Sequence, residues 1–424
     1  MNKETQVQSD KNATTKKPAG RAVTPEKGAK VGVAQKILQQ VFSISTATIL
    51  GAIFLALILG AVIVAVFDPD VQEAASYFFA RPSDTFAAMG TSFSEFFVSL
   101  FRGAILDTSA SGVAVFQPLL ESLTSSVPLM LAGLAIAVSF RAGLFNIGVQ
   151  GQLIMGALLA TIVGTHLTLP YGLHLLVAIL AAIVGGFIWG AVPGLLKATM
   201  GANEVIVTIM MNSISGFLVA FMLAKPFMYG NGNAGKSSYV AGTAAYPLLT
   251  GSFSRLNLSI VVGILAAVFV WWLLERSTFG FELRAVGLNP HAAKTAGMSV
   301  SRVLFLTLAI SGALAGLAGT APTLGTERFL TSSTAGSLGF DSITVALLGK
   351  STPLGTCLAA LLFGALAAGS ATMQASADIP VDIVQVTQAI IVLLIAASEA
   401  FRYYRQKRLV AKKTAAKTSK GEAK

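Results

Sequence analysis

The chain has 424 residues, of which 54% are hydrophobic and only 12% charged. A soluble domain carries about a quarter charged residues, so half that share over this length describes a polypeptide solvated mainly by lipid. The formal charge of +11 belongs to the ends: residues 1–36 carry +5, residues 399–424 carry +7, and the stretch between them is close to −1.

The basic runs, Lys16-Lys17 and Lys412-Lys413 among them, have no interleaved aromatics, which argues against nucleic acid as a partner. They fit the positive cytoplasmic flanks of a multi-pass membrane protein. The division expected is a basic tail over 1–40, a membrane-spanning domain over 41–400 and a second basic tail over 401–424. Cys357 is the single cysteine, so disulfide frameworks and cysteine-held metals are excluded. His166, His174 and His291 are scattered without ligand spacing, and no metal site is expected.

A hydrocarbon core about 30 Å thick takes about 20 apolar residues of helix. Uncharged runs near that length occur at residues 44–67, 122–140, 153–169, 173–196, 205–224, 257–274, 303–324, 354–373 and 383–398. Two cytoplasmic tails demand an even number of crossings, and residues 338–349 supply a short tenth segment. It reads as a half-length or re-entrant helix, which membranes tolerate only inside protein or beside a water-filled cavity. The fold class expected is therefore an all-α polytopic membrane protein of about ten transmembrane helices, one of them half-length, with both termini in the cytoplasm. Residues 68–115 hold six acids against two bases and the aromatic run Tyr77-Phe78-Phe79, and read as surface or interfacial helix. Small residues recur at GxxxG spacing in Gly186–Gly190, Gly190–Gly194 and Gly312–Gly316, which predicts close helix packing in lipid.

Residues 230–237 match the phosphate-loop pattern GxxxxGK[ST] up to Lys236-Ser237. That motif works between a strand and a helix amino terminus. Here it follows a span and falls on the outer face, so a flexible loop is the better reading, and the chain is not expected to hydrolyse ATP. Carboxylates beside apolar segments are few: Glu121, Glu204 and Asp341. Charges at membrane depth are functional candidates. Their peripheral placement speaks against an ion-coupled secondary transporter, which stands as the alternative to an ATP-driven one. A membrane anchor without transport is a third possibility, and would not need polar motifs at several span ends.

Three polar clusters lie at span boundaries. The first, residues 145–152, follows Arg141 and contains Asn146, Gln150 and Gln152; the second, residues 201–212, contains Asn203, Glu204 and Asn212. The third is the loop 275–302, where Asn289 as cap, Pro290 at the first position and Gly297 at the end mark out a short helix. A short helix punctuated at both ends suits docking into a groove on a cytoplasmic partner.

At these clusters, from about Pro118 to Ala397, the sequence resembles the permease subunits of bacterial ABC importers for simple sugars and nucleosides. The stretch from Asn203 to Asn212 resembles the nucleoside branch. Arg284, Gly287, Asn289, Ala292, Ala293 and Gly297 resemble the loop that couples such permeases to their ATPases, and residues 340–349, followed by Pro353-Leu-Gly355, resemble a further block. One position departs: Gln150 stands where the family motif carries Glu.

The resemblance implies a subunit with no cofactor of its own, ATP being bound by partner ABC ATPase subunits at the cytoplasmic face. It implies a second permease, identical or different, and an external substrate-binding protein or lipoprotein, with membrane lipid around the bundle. It implies residence in the bacterial plasma membrane and alternating access for a nucleoside or related simple sugar. Asn146, Gln150, Gln152, Asn203, Glu204, Asn212 and Asp341 are the expected pathway residues, with helix–helix hydrogen bonding as the other role open to the amides.

Overall fold

The computed structural model describes residues 44–230, 234–251, 253–377 and 379–398. The expectations for the tails, 1–40 and 401–424, lie outside the described residues. So do positions 231–233 of the glycine-rich loop.

Among the described residues the chain is helical, with two isolated bridges, Lys236–Thr331 and Leu248–Asn257, and no strand. The order is α1 (Ile44–Phe67), α2 (Pro69–Ser76), α3 (Pro82–Ala104), α4 (Gln117–Arg141), α5 (Val149–His166), α6 (Leu173–Met200) and α7 (Glu204–Leu223). After the extended loop come α8 (Ser259–Arg276), α9 (Thr278–Leu288), α10 (Pro290–Thr295), α11 (Val300–Ala318), α12 (Leu338–Leu348), α13 (Pro353–Ala377) and α14 (Val381–Ser398). Eight helices among the described residues are long and apolar enough to cross a membrane. Helix α5 has 18 residues, as many as the shortest of them, but Gln150, Gln152 and His166 dilute its apolar run. Helix α12 has 11 residues and is apolar but short, as the half-length segment should be.

The boundaries follow local chemistry. Asn203 caps α7, its Oδ1 accepting from the Val205 and Ile206 amides, while Gly201 in the left-handed region ends α6. Pro322 has no N–H to continue the ladder of α11, and the helix widens there into a π turn over Ala321–Thr326. Residues 68–115, expected as surface or interfacial helix, form α2 and α3, and α3 packs on α13 where Gly103 meets Thr372 and Gly369 meets Leu100.

The interior is organised around α4, buried along most of its length, with α11, α12 and α13 against it. Helices α6 and α11 cross on glycine: a Cβ added to Gly186 would overlap the Gly312 carbonyl, and one added to Gly316 the Ala182 carbonyl. The GxxxG spacings are thus one seam seen from both sides. In lipid, apolar side chains gain nothing by leaving the solvent, and backbone approach supplies the packing instead.

Candidate functional site

A cavity of about 390 Å³ opens between α4, the start of α8, the π turn, the loop 327–337 and the amino-terminal end of α12, closed behind by α13 and α14. Two prolines shape it. Pro128 within α4 leaves the Thr124 carbonyl without its helical donor, and both residues line the cavity. Pro322 lines it from the π turn.

Its charges are arranged with one pairing. Arg255 holds Glu121 with both donors of its fork, Nε to Oε2 at 3.3 Å and Nη2 to Oε1. Among the described residues the other two carboxylates have no cation bonded to them. Glu327 accepts from the Thr334 hydroxyl at 3.3 Å, and Asp341 from the Ser337 hydroxyl at 2.6 Å. Burial pushes the Glu327 carboxyl above its usual range, against the Thr334 hydrogen bond and the Arg255 charge, which pull it down. From α14, Gln385 and Gln388 line the far wall with no hydrogen-bond partner among the described residues.

Of the expected pathway residues, Asp341 lines this cavity and the others do not. Gln150 clamps the entry to α12: its Nε2 donates to the Gly336 carbonyl at 2.8 Å and its Oε1 accepts from the Gly339 amide at 2.7 Å. The departure from Glu thus has a physical account, since an ionised carboxylate could accept from Gly339 but could not donate to Gly336. Asn212 crosslinks α7 to the same region, accepting from the Gly151 amide at 2.8 Å and donating to the Ile147 carbonyl at 3.0 Å. Asn146 and Gln152, each 1% exposed, pair at 3.1 Å, and Asn146 donates to Ser311, which donates to the Ala135 carbonyl. Buried amides satisfied in this way fix the relative heights of helices. Asn203 is a cap, and Glu204 pairs with Lys197 at 2.8 Å across the turn between α6 and α7, away from the cavity.

The short helix α10 forms where its punctuation predicts. Asn289 Oδ1 accepts from His291 and Ala292 amides at 3.0 and 3.1 Å, Pro290 fills the first position, and Gly297 stops it at a φ of +87°. Ala292 and Gly297 are exposed, as is Leu288 at 89%, whereas Ala293 at 4% is turned into the protein. Of the two alanines, only Ala292 can meet a partner; Ala293 seats the loop. Gly287 anchors its base, a Cβ there overlapping the Arg141 carbonyl, and Arg284 lies 4.0 Å from Glu275.

The phosphate-loop lookalike takes another shape. Lys236 Nζ sits over the Phe329 ring at 3.7 Å and donates to the Tyr239 hydroxyl at 3.0 Å, and Ser237 bridges to Leu330. No helix follows to receive phosphates.

Glu327, Gln385 and Gln388 escaped the sequence reading. The glutamines carried a usable signal, standing three apart on one face of an otherwise apolar run. Glu327 carried none, because only the fold of loop 327–337 brings it to the cavity.

The family described as branched-chain amino acid transport system / permease component matches residues 119–397. The chain belongs to that family. Among curated relatives, the permease is 43% identical over 286 residues to the guanosine ABC transporter permease protein NupP of Bacillus subtilis, covering 67% of this chain and 82% of that one. It is 35% identical over 314 residues to the nucleoside ABC transporter permease protein NupB of Lactococcus lactis, covering 71% and 85%. Identity to the glucose ABC transporter permease protein TsgB13 of Haloferax volcanii is 34%, covering 68% and 78%. No solved structure matches the permease.

Proposed function

We propose that the chain is the membrane-spanning permease subunit of an ABC importer that carries nucleosides inward across the bacterial plasma membrane. The observation that supports this most is the 43% identity to a guanosine ABC permease over 286 residues, in a chain whose family match reaches from α4 to α14, the helices that enclose the cavity. In this reading the cavity is the substrate's resting place. Its hydroxyls and the amides of Gln385 and Gln388 suit the diols and base edge of a nucleoside.

The energy comes from partner ABC ATPases pressing on the surface formed by Leu288, Ala292 and Gly297. A second permease chain, identical or different, completes the pore, and an external binding protein or lipoprotein delivers the substrate. The helix count becomes ten when α5 and the half-length α12 join the eight long apolar helices, which returns both basic tails to the cytoplasm. The chain needs no cofactor of its own, and ATP stays with the partners.

Reconstitution in liposomes tests the proposal. Nucleoside uptake should require the ATPase subunits, ATP and the binding protein together, and an ion gradient should not replace ATP. Uptake by the permease alone on a proton or sodium gradient would overturn it in favour of the secondary-transporter alternative.

A further inference from the structure

The cavity holds more negative charge than a neutral solute requires. Among the described lining residues the cation is Arg255, and its guanidinium is taken by Glu121 at the rim. Glu327, exposed on the loop 327–337, and Asp341, half-buried in the first turn of α12, each make a single hydroxyl hydrogen bond among the described residues. Gln385 and Gln388 of α14 line the same cavity, and the Thr124 carbonyl lacks its helical donor. The wall is therefore rich in acceptors and holds no free cation among the described residues. In a partly desolvated cleft such a field is felt strongly by any charged group that enters.

We propose that Glu327 and Asp341 are specificity-determining residues of the cavity, accepting donors from an uncharged nucleoside and excluding solutes that carry a phosphate. The inference rests on the cavity being the nucleoside site. It gives the two carboxylates a reason to remain unpaired where an arginine partner would neutralise them. A phosphate would need the opposite wall, built from arginine forks or helix amino termini.

The test uses the assembled importer without its external binding protein, in lipid nanodiscs, so that selectivity belongs to the membrane part alone. Weak binding is read by saturation-transfer difference NMR for three probes of one skeleton: a nucleoside, its 5′-amino-5′-deoxy analogue, and its 5′-monophosphate. At neutral pH the amino analogue should bind best and the monophosphate worst, with at least about a tenfold span, since like charges at close quarters in a site oppose binding strongly. The isosteric variants Glu327→Gln and Asp341→Asn, alone and together, should raise monophosphate binding and lower that of the amino analogue. In the double variant the three probes should converge to within about threefold. A Gln150→Ala variant, which loosens the same half-helix without altering charge, should leave the order of the probes unchanged. A span that persists in the double variant, or equal binding of all three probes to the unaltered protein, overturns the inference while leaving the nucleoside site standing. Absence of binding by the nucleoside and by both analogues would instead remove the site itself.

Discussion

Lys236 shows how a side chain's surroundings outrank the motif it belongs to. In a phosphate loop the lysine is held toward the nucleotide by a helix that begins immediately after it. Here the ammonium is spent on two aromatic rings, Phe329 at 3.7 Å and Tyr239 at 4.4 Å, and a bridge ties it to Thr331. An exposed cation–π contact contributes only about 0.5–1 kcal/mol. Lys236→Ala should therefore leave nucleoside uptake and ATP hydrolysis by the assembled importer within about twofold of the unaltered rates, at most softening the outer loop. Loss of ATP hydrolysis in this variant would mean that the loop takes part in nucleotide chemistry after all. The same logic applies to Gln150, whose amide donates and accepts at once where a carboxylate could not. Sequence displayed the substitution but not its use, because Gly336 and Gly339 lie nearly two hundred residues downstream.

At the scale of elements, the seam between α6 and α11 is where the fold is least tolerant. Gly186 and Gly312 each stand where an added Cβ would enter the other's carbonyl, so a side chain there must separate two helices and everything packed on them. Overpacking in a tight interior typically costs about 1–3 kcal/mol, and more where backbone faces backbone. Gly216 in α7 has nothing within 4 Å of an added Cβ, and alanine there should be neutral or slightly stabilising by helix propensity. Gly186→Leu and Gly312→Leu should lower the thermal midpoint of the detergent-solubilised protein by several degrees in a fluorescence-detected size-exclusion assay, with Gly216→Ala as the unshifted control. Equal midpoints for all three would show that the seam is not the close contact described. Most of this architecture was legible beforehand. Hydropathy located the eight long apolar helices, the GxxxG spacings predicted close packing where the seam lies, and cap, proline and glycine drew α10 to within a residue. What could not be read was depth. Polar residues at span ends are natural candidates for the pathway, yet Asn146 is bonded to Ser311 of α11 and Gln152 to Asn146. The cavity is completed instead by Glu327 and by glutamines within an apolar run, since which face of a helix meets a void depends on partners distant in sequence.

For the whole molecule, the decisive matter is which side of the membrane the loop 289–297 faces and what covers it. The tails carry 17 of the 30 Lys and Arg residues and all of the net positive charge, and orientation follows Lys and Arg close to the span ends. If the tails are cytoplasmic and the crossings number ten, α8 runs inward and α10 lies on the ATPase side. The surface there is unusual for a polar loop: Leu288 is 89% exposed beside Pro290 and Ala292, while Ala293 holds the helix down from beneath. An exposed leucine on a rigid, capped turn is what a partner groove would cover. Placing a cysteine at Ala292 in a Cys357→Ala background, with Cys357 half-buried in α13, gives a reporter at that spot alone. A membrane-impermeant maleimide should label Ala292→Cys in inside-out vesicles and not in right-side-out ones, and adding the ATPase subunits should slow labelling by about tenfold or more if the groove closes over the site. Labelling from the exterior would reverse the orientation of the bundle. Labelling from the interior at a rate the ATPases do not change would leave the topology intact but move the point of energy transfer elsewhere on the cytoplasmic face.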